Sequence, residues 1–453
     1  MRAPSDWARH QTCSAPDTLA LDVVDGRDWS FAALDAQVDA LATALSKRAE
    51  PPGQPLAARL ANAESLALLA LAAPRAGQPL LPINPALPPE RQNSLLIAAG
   101  VEHPLDTLPA ADPSATARPG LRPDDIQLIV ATSGSTGTPK GAMLTGANLA
   151  AAVQGSRRMI PLERGDVWLG CLPMVHIGGL STLLRCLEAG ATLRLHSRFD
   201  VERVSTDIES GRVSHVSLVP AMLGLLLDHG CRPASRLRCA LIGGAGLPAA
   251  LADRALAAGW PLMPSYGMSE AGSQVATCVN ATEWSPGLAG TPLPGVEIGF
   301  SAAGRVKVRG PMLMAGYLNP ELHLGVGLTA EGWFETNDLG TFDDRGRLVI
   351  KGRADDMLIS GGENVHPAEI EALAGRCPGL RAIAITGRPD PIWGDLIVAI
   401  LVGETGPETF LDWCRTHVPS HLRPRHAVNV SVLPLNSIGK PDRKALREIA
   451  LRA

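Results

Sequence analysis

The chain has 453 residues, of which 45% are hydrophobic and 19% charged, and its formal net charge is −4. So long a chain exceeds one small core, and two or more domains are expected. The near-neutral balance leaves no electrostatic footprint for nucleic acid or an anionic membrane. Eight cysteines scattered singly and eleven histidines without H-x-x-x-H pairing argue against a disulfide framework and against a protein-held zinc site. No apolar run has the length of a bilayer span. The start "MRAPSDWARHQTCSAPD" lacks the basic-then-apolar order of a signal peptide, so a cytoplasmic protein is expected.

In chain order, "FAALDAQVDALATALSKRA" repeats apolar residues at helical spacing, and "LLPINPALPPER" reads as a proline-punctuated connection. From about residue 126, apolar runs alternate with helical patterns. "VWLGCLP" precedes "GGLSTLLRCLEAG", "ATLRLH" precedes "DVERVSTDIESG", "VSHVSLVP" precedes "AMLGLLLDHG", and "RCALIGGAG" precedes "LPAALADRALAAG". Such alternation predicts a large layered α/β domain with mainly parallel strands. Beyond 290, "VEIGFSAAGRVKVRG" and "GTFDDRGRLVIKGR" predict an antiparallel β subregion. After "KGRADD" the pattern resets into helix "PAEIEALAGR", strands "RAIAITG" and "LIVAILVG", helix "TFLDWCRTHV" and strand "AVNVSVLPL". A small α+β domain over 353–453 is therefore expected after a large domain over 1–352.

The stretch "ATSGSTGTPKGAMLT" follows the apolar run "IQLIV" and concentrates glycines, hydroxyls and one lysine. A Walker loop requires G-x-x-x-x-G-K followed by Ser or Thr. Lys140 follows Pro139 and precedes Gly141, so that reading fails; the plain alternative is a flexible surface loop. Farther on, "LIGGAGLP" ends an apolar strand in glycines that could lie against a flat ring. "SYGMSEAGSQ" offers the aromatic face of Tyr266 beside the carboxylate of Glu270, a hard-cation ligand type. "GWFETNDLG", "IKGRADDMLISGGENVHPAEIE" and "PLNSIGKPDR" complete the set.

Together these strings resemble the adenylate-forming enzymes: acyl-CoA synthetases, peptide-synthetase adenylation domains and firefly-type luciferases. The resemblance implies that Ser133, Gly134, Ser135, Thr136, Gly137 and Lys140 hold the triphosphate of ATP. By the same resemblance Gly243, Gly244 and Tyr266 enclose adenine, and Asp338 and Arg353 bind ribose. Ser269 stands where the family usually has Thr near the α-phosphate, Glu270 is the Mg²⁺ ligand and Lys440 the catalytic lysine. Asp355 matches the hinge of a rotating C-terminal domain. Gly361 and Gly362 match the stretch lining the pantetheine tunnel of coenzyme A. Asn337 replaces the glycine common before Asp338, a mild departure because Asn tolerates left-handed angles.

Compactness, "GMSEAGSQVAT" and "SGGENVHPAEIE" are most similar to the o-succinylbenzoate–CoA ligase branch of menaquinone synthesis. In "PMVHIGGLSTLLRCLEAG", His176 opens a helix and Arg185 falls at the H-x8-R position where that branch has an arginine for the substrate's second carboxylate. His176, Gly178, Ser181 and Arg185 are the expected acid-binding residues, with His176 also among the catalytic ones. Gly178 departs from a Ser in the branch. The alternative for Arg185 is an arginine on a wet helix face. The expected reaction is o-succinylbenzoate, ATP and CoA giving the CoA thioester, AMP and pyrophosphate. Another aryl or medium-chain acyl-CoA ligase, or a stand-alone adenylation enzyme loading a carrier protein, remains the competing reading. The partner is a small carboxylic acid, and a homo-oligomer is left open.

Overall fold

The computed structural model describes residues 6–48, 53–112, 120, 122–132, 140–435 and 441–453. Three sheets organise them. The largest has 13 strands. Six of its strands form the parallel centre, in the order Leu262–Met268, Cys239–Ile242, His215–Leu218, Val167–Gly170, Thr192–Leu195 and Leu19–Val23. The strands His215–Leu218 and Cys239–Ile242 are buried at every position, as expected when helices cover both faces of a parallel sheet.

The strand Leu262–Met268 is where the sheet changes character. One edge pairs in parallel with Cys239–Ile242 and the other in antiparallel with Ser273–Thr277. From there the sheet runs on through Leu288–Pro292, Leu348–Arg353, Phe334–Phe342, Arg305–Arg309 and Glu297–Phe300, all antiparallel. The antiparallel region thus shares one sheet with the parallel centre. This is the antiparallel subregion that the sequence predicts, and it starts earlier in the chain than residue 290. Ligands of open α/β sheets collect where strand order or direction switches, at the carboxyl ends of the strands.

A second sheet of five strands contains the hairpin Ile126–Thr132 and Lys140–Thr145, paired down to Thr132 opposite Lys140. The "SGSTGTP" residues between them lie outside the described residues. Here strand returns to strand, whereas a Walker loop leads into a helix, so the topology differs as the sequence does. Leu80–Pro82 forms another strand, parallel to Leu56–Ala58 and to Ile126–Thr132. "LLPINPALPPER" is therefore strand, turn and the start of helix Pro89–Ala99 rather than a bare connection. Three fully buried residues are too few to display a period.

The helix Gly146–Met159 starts in a capping box: Thr145 Oγ1 accepts from the Asn148 amide and the Asn148 side chain accepts from the Thr145 amide. The helix Ile177–Ala189 is buried on nearly every side and ends at Gly190 in the left-handed region, φ 69°.

The third sheet, in the order Glu363–Val365, Leu358–Ser360, Gly394–Gly403, Leu380–Asp390, adds His426–Asn429 parallel to Gly394–Gly403. Helices Pro367–Ala374 and Pro407–His417 close a core around Ile370, Ile385, Ile397, Leu401, Phe410 and Cys414. The strand at the end of this run is shorter than "AVNVSVLPL" suggests. The sequence expectation also stops short of the amphipathic helix Arg443–Arg452. It is capped by Asp442, and Arg443 ties it to Asp356 and Glu371 at 3.2 Å each. No helix among the described residues is long and apolar enough to cross a membrane.

Candidate active site

The segments that carry Gly243 and Gly244, Tyr266 and Glu270, Asp338, and Arg353 meet around the turning point of the large sheet. Tyr266, near the end of Leu262–Met268, donates its hydroxyl to Asp338 Oδ2 at 2.6 Å. Asp338 stands opposite Arg353 in the neighbouring ladder, and Arg353 Nη1 reaches Asp338 Oδ1 at 3.5 Å. The same guanidinium grips Asp355 with two bonds, of 2.9 and 3.0 Å. Burial, followed by the Asp338 charge, pushes the Tyr266 phenol well above its ordinary range, so it is held as a donor. Burial lowers the basicity of Arg353, but the bond to Asp355 and the charges of Asp338 and Asp355 outweigh it. The four side chains form one chain of charge-assisted bonds. Gly243 and Gly244 follow the strand Cys239–Ile242. Gly244 has φ 83°, and a Cβ there would sit 3.2 Å from Val219 Cγ1, so glycine suits both the backbone and the space.

A second chain runs through the short 3₁₀ turn Ser269–Ala271. Tyr317 Oη donates to Glu270 Oε1 at 2.8 Å, and Lys140 Nζ lies 4.9 Å over the Tyr317 ring. Burial and the Glu270 charge raise the Tyr317 phenol above its usual range. Tyr317 is a residue that sequence reasoning misses. Its one signal is rarity, because the chain has two tyrosines and the other is Tyr266. Among the described residues no group of three His, Cys, Asp or Glu could hold a metal by itself. A lone carboxylate fits Mg²⁺ nonetheless, since this ion is commonly held by one or two carboxylates plus substrate phosphates and water.

The residues expected to bind the acid centre on the buried helix Ile177–Ala189. His176 is its N-cap residue, with φ −114°. Ser181 Oγ lies 3.3 Å from both the Gly178 carbonyl and Ser273 Oγ, and Thr182 Oγ1 donates to the same carbonyl at 2.9 Å. Arg185 is only 5% exposed. It donates from Nη2 to Ser273 Oγ at 3.0 Å, and its guanidinium carbon lies 5.4 Å from the Trp168 ring centroid. Its Nε is buried without an acceptor, and Arg185 also lines a cavity with room for about one water, together with Ser156, Arg157, Ile160 and Trp168. Burial drives the guanidinium down to about 10. The wet-face alternative for Arg185 is thereby excluded.

Gly361 and Gly362 form an exposed turn between Leu358–Ser360 and Glu363–Val365, where the Gly361 amide donates to the Trp393 carbonyl at 2.8 Å. This turn lies on the third sheet. Ser133, Gly134, Ser135, Thr136, Gly137 and Lys440 fall outside the described residues. Leu435 and Pro441, on either side of the "NSIGK" stretch, face each other in an antiparallel bridge.

Residues 8–111 and 102–318 match the AMP-binding enzyme profile, and 369–440 match the AMP-binding enzyme C-terminal domain. The chain belongs to the AMP-binding enzyme family. It is 31% identical over 484 aligned positions to a 2-succinylbenzoate–CoA ligase from Bacillus pumilus, covering 99% of this chain and 98% of that one. Among solved structures it is similar to the o-succinylbenzoate CoA synthetase of Bacillus subtilis in complex with the acyl-adenylate intermediate OSB-AMP. That likeness has a TM-score of 0.87 at 28% identity, over 99% of each chain. The same synthetase in complex with ATP and magnesium ion gives 0.87 at 28% identity, over 97% and 99%. The fold is that of this adenylate-forming family, a large α/β domain followed by a smaller one, as the sequence predicts.

Proposed function

We propose that the chain is an ATP-dependent 2-succinylbenzoate–CoA ligase that works through an acyl-adenylate. A carboxylate oxygen of the acid attacks the α-phosphorus of ATP and pyrophosphate leaves. The CoA sulfur then attacks the activated carbonyl, AMP leaves, and the thiol proton passes to solvent. Free thiols titrate near 8.5, so a minority of thiolate is present at neutral pH without a dedicated base.

In the first step two anions must meet, which makes the barrier mainly electrostatic and positional. Lys140, the "SGSTG" residues Ser133, Gly134, Ser135, Thr136 and Gly137, and Lys440 would stabilise the phosphates, with Ser269 beside the α-phosphate. Tyr266, Gly243 and Gly244 would enclose the base, and Asp338 and Arg353 the ribose. Glu270 would hold Mg²⁺, which supplies charge neutralisation on the phosphates when bound. We place the division of labour at 1–352 and 353–453, with Asp355 as the hinge and Gly361 and Gly362 toward CoA. His176, Gly178, Ser181 and Arg185 would form the acid site. A cytoplasmic setting is part of this reading, supported by the composition.

The observation that carries the choice of acid is Arg185. The described residues contain two comparably buried arginines besides it, Arg75 and Arg194, and both are paired with carboxylates. Arg185 has a neutral hydroxyl and an aromatic face, and among the described residues no carboxylate within 4.0 Å. A buried cation lacking a counter-ion is costly, and a substrate carboxylate would relieve that cost. The test is pyrophosphate release over a panel of aryl mono- and dicarboxylates, with mass detection of the CoA thioester. Preference for o-succinylbenzoate with free CoA as acceptor supports the reading. Turnover of monocarboxylates only, or transfer solely to a carrier protein, overturns it.

A further inference from the structure

Ser273 bonds Arg185 through a backbone that serine rarely adopts. Its φ is 131°, one of three positive values among the described non-glycine residues. Such angles persist only where the surroundings enforce them, and they gather at functional sites. The enforcement is visible here. Gly272 turns through φ 61°, the ladder slips register between Tyr266 and Gly267, and Met268 then pairs with Ser273. The approach is so close that a Cβ on Gly267 would lie 2.0 Å from the Ser273 carbonyl oxygen. A serine stands where the backbone favours glycine, and what glycine lacks is the hydroxyl.

That hydroxyl is occupied in a telling way. Ser273 Oγ accepts from Arg185 Nη2 at 3.0 Å and lies 3.3 Å from Ser181 Oγ. Among the described residues it is the one hydrogen-bond partner of the Arg185 side chain. It holds the guanidinium by a single edge, leaving Nε, buried and without an acceptor, for another group. The same short turn, Ser269 to Ser273, also carries Glu270. One rigid piece of backbone therefore links the proposed metal ligand to the partner of the buried arginine.

We propose that Ser273 is a positioning residue that sets acid specificity: by fixing the Arg185 guanidinium relative to the Glu270 turn, it makes the site select acids with a second carboxylate. The inference rests on the functional reading above and deepens it. Ser273 acts through Arg185 rather than on the reacting atoms, so it governs which acid is used and leaves the nucleotide chemistry intact.

The test uses S273G and S273A in the full-length enzyme, assayed by pyrophosphate release on o-succinylbenzoate and on 4-oxo-4-phenylbutyrate, which lacks the ring carboxylate. S273G removes the hydroxyl and relaxes the backbone, so its melting temperature should match or exceed that of the wild type. S273A removes the hydroxyl and keeps the strain. Both should lose roughly 10- to 150-fold in kcat/KM on the dicarboxylate, the worth of a hydrogen bond to a charged group. Loss on the monocarboxylate should be under about 3-fold on the same scale, with KM for ATP unchanged. A purely structural role would lower both acids together, and that result overturns the proposal. So does full dicarboxylate activity in S273G. If Arg185→Ala loses the dicarboxylate while S273G keeps it, the functional reading stands and the role of Ser273 falls. A wild-type enzyme that ignores o-succinylbenzoate fails the functional reading first.

Discussion

Arg194 and Arg185 stand on consecutive elements and are almost equally hidden from water, at 9% and 5% exposure. Arg194 donates to Asp207 at 2.5 Å and to Asp22 at 2.6 Å, and Asp207 also bonds His196 Nε2 at 2.8 Å. Two carboxylates balance its charge. Arg185 meets one hydroxyl and the face of a tryptophan. The first arginine joins a strand to the helix Val201–Glu209 and to the first strand of the chain, which is structural work. The second is an imbalance the fold tolerates, and an imbalance of that kind is what a charged ligand corrects. Burial is common to both, so charge balance is what separates the structural arginine from the one proposed to bind the acid.

Arg185→Ala should give the largest effect on catalysis. Losing one partner of a buried charge pair costs about 2–5 kcal/mol. On o-succinylbenzoate, kcat/KM should therefore fall roughly thirty-fold to several thousand-fold, with an aryl monocarboxylate little changed. Equal losses on both acids would place Arg185 beside Arg194 as a structural residue and dissolve the contrast. Arg194→Met should do the opposite. It leaves the buried carboxylate of Asp207 with His196 Nε2 at 2.8 Å and Arg212 at 3.8 Å only, so stability should fall by about 1–3 kcal/mol in denaturant titration. The ratio of activities on the two acids should stay at its wild-type value. A shifted ratio would mean the two arginines are coupled.

Acid sharpens the comparison further. Burial pushes Asp207 up, but the bonds from His196 and Arg194 and the Arg194 charge outweigh it and hold its pKa below the ordinary carboxylate value. A lowered folded-state pKa stabilises the protein above the unfolded value, and that share disappears as pH falls through the folded value. In Arg194→Met the folded pKa rises, so stability should begin to drop at a higher pH than in the wild type. Arg185→Ala should leave this acid limb where it was. Unfolding midpoints measured between pH 6 and about pH 3 would show whether the limbs separate, since ordinary carboxylates titrate near the lower end.

The smallest effect is expected at Tyr317→Phe. It removes the bond to Glu270 and leaves the ring under Lys140 in place. The Mg²⁺ concentration for half-maximal pyrophosphate release should shift by roughly 3- to 10-fold, below the full worth of a bond to a charged group because water can take the vacated place on the half-buried Glu270. Acid preference should not change. An unaltered Mg²⁺ requirement would remove Glu270 from its proposed task.

The two halves of this site were unequally legible. The parallel strands announced themselves because apolar runs and helical periods alternate over long windows, and Tyr266, Glu270, Asp338 and Arg353 sit in long, specific strings. Arg185 could be placed on a helix from sequence, but its burial depends on everything packed around Ile177–Ala189. Ser273 and Tyr317 could not be assigned. A positive φ on a serine arises from a slipped ladder, and the Tyr317–Glu270 bond joins residues 47 apart in sequence. Leu80–Pro82 escaped for a related reason: its partners, Leu56–Ala58 and Ile126–Thr132, are remote, and pairing of that kind leaves no local period.

The bond from Arg194 to Asp22 spans 172 residues, and the strand Leu19–Val23 pairs in parallel with Thr192–Leu195. During synthesis the first strand has only its own hairpin mate, Asp28–Ser30, until the later one emerges. At about 5–20 residues per second that wait lasts roughly 10–30 s. Throughout it, Leu21, which pairs with Leu193 and shares the finished core with Leu193 and Leu195, lacks part of its cover. Nascent chains cut short before residue 192 should therefore be held by chaperones or aggregate, however sound the finished enzyme is.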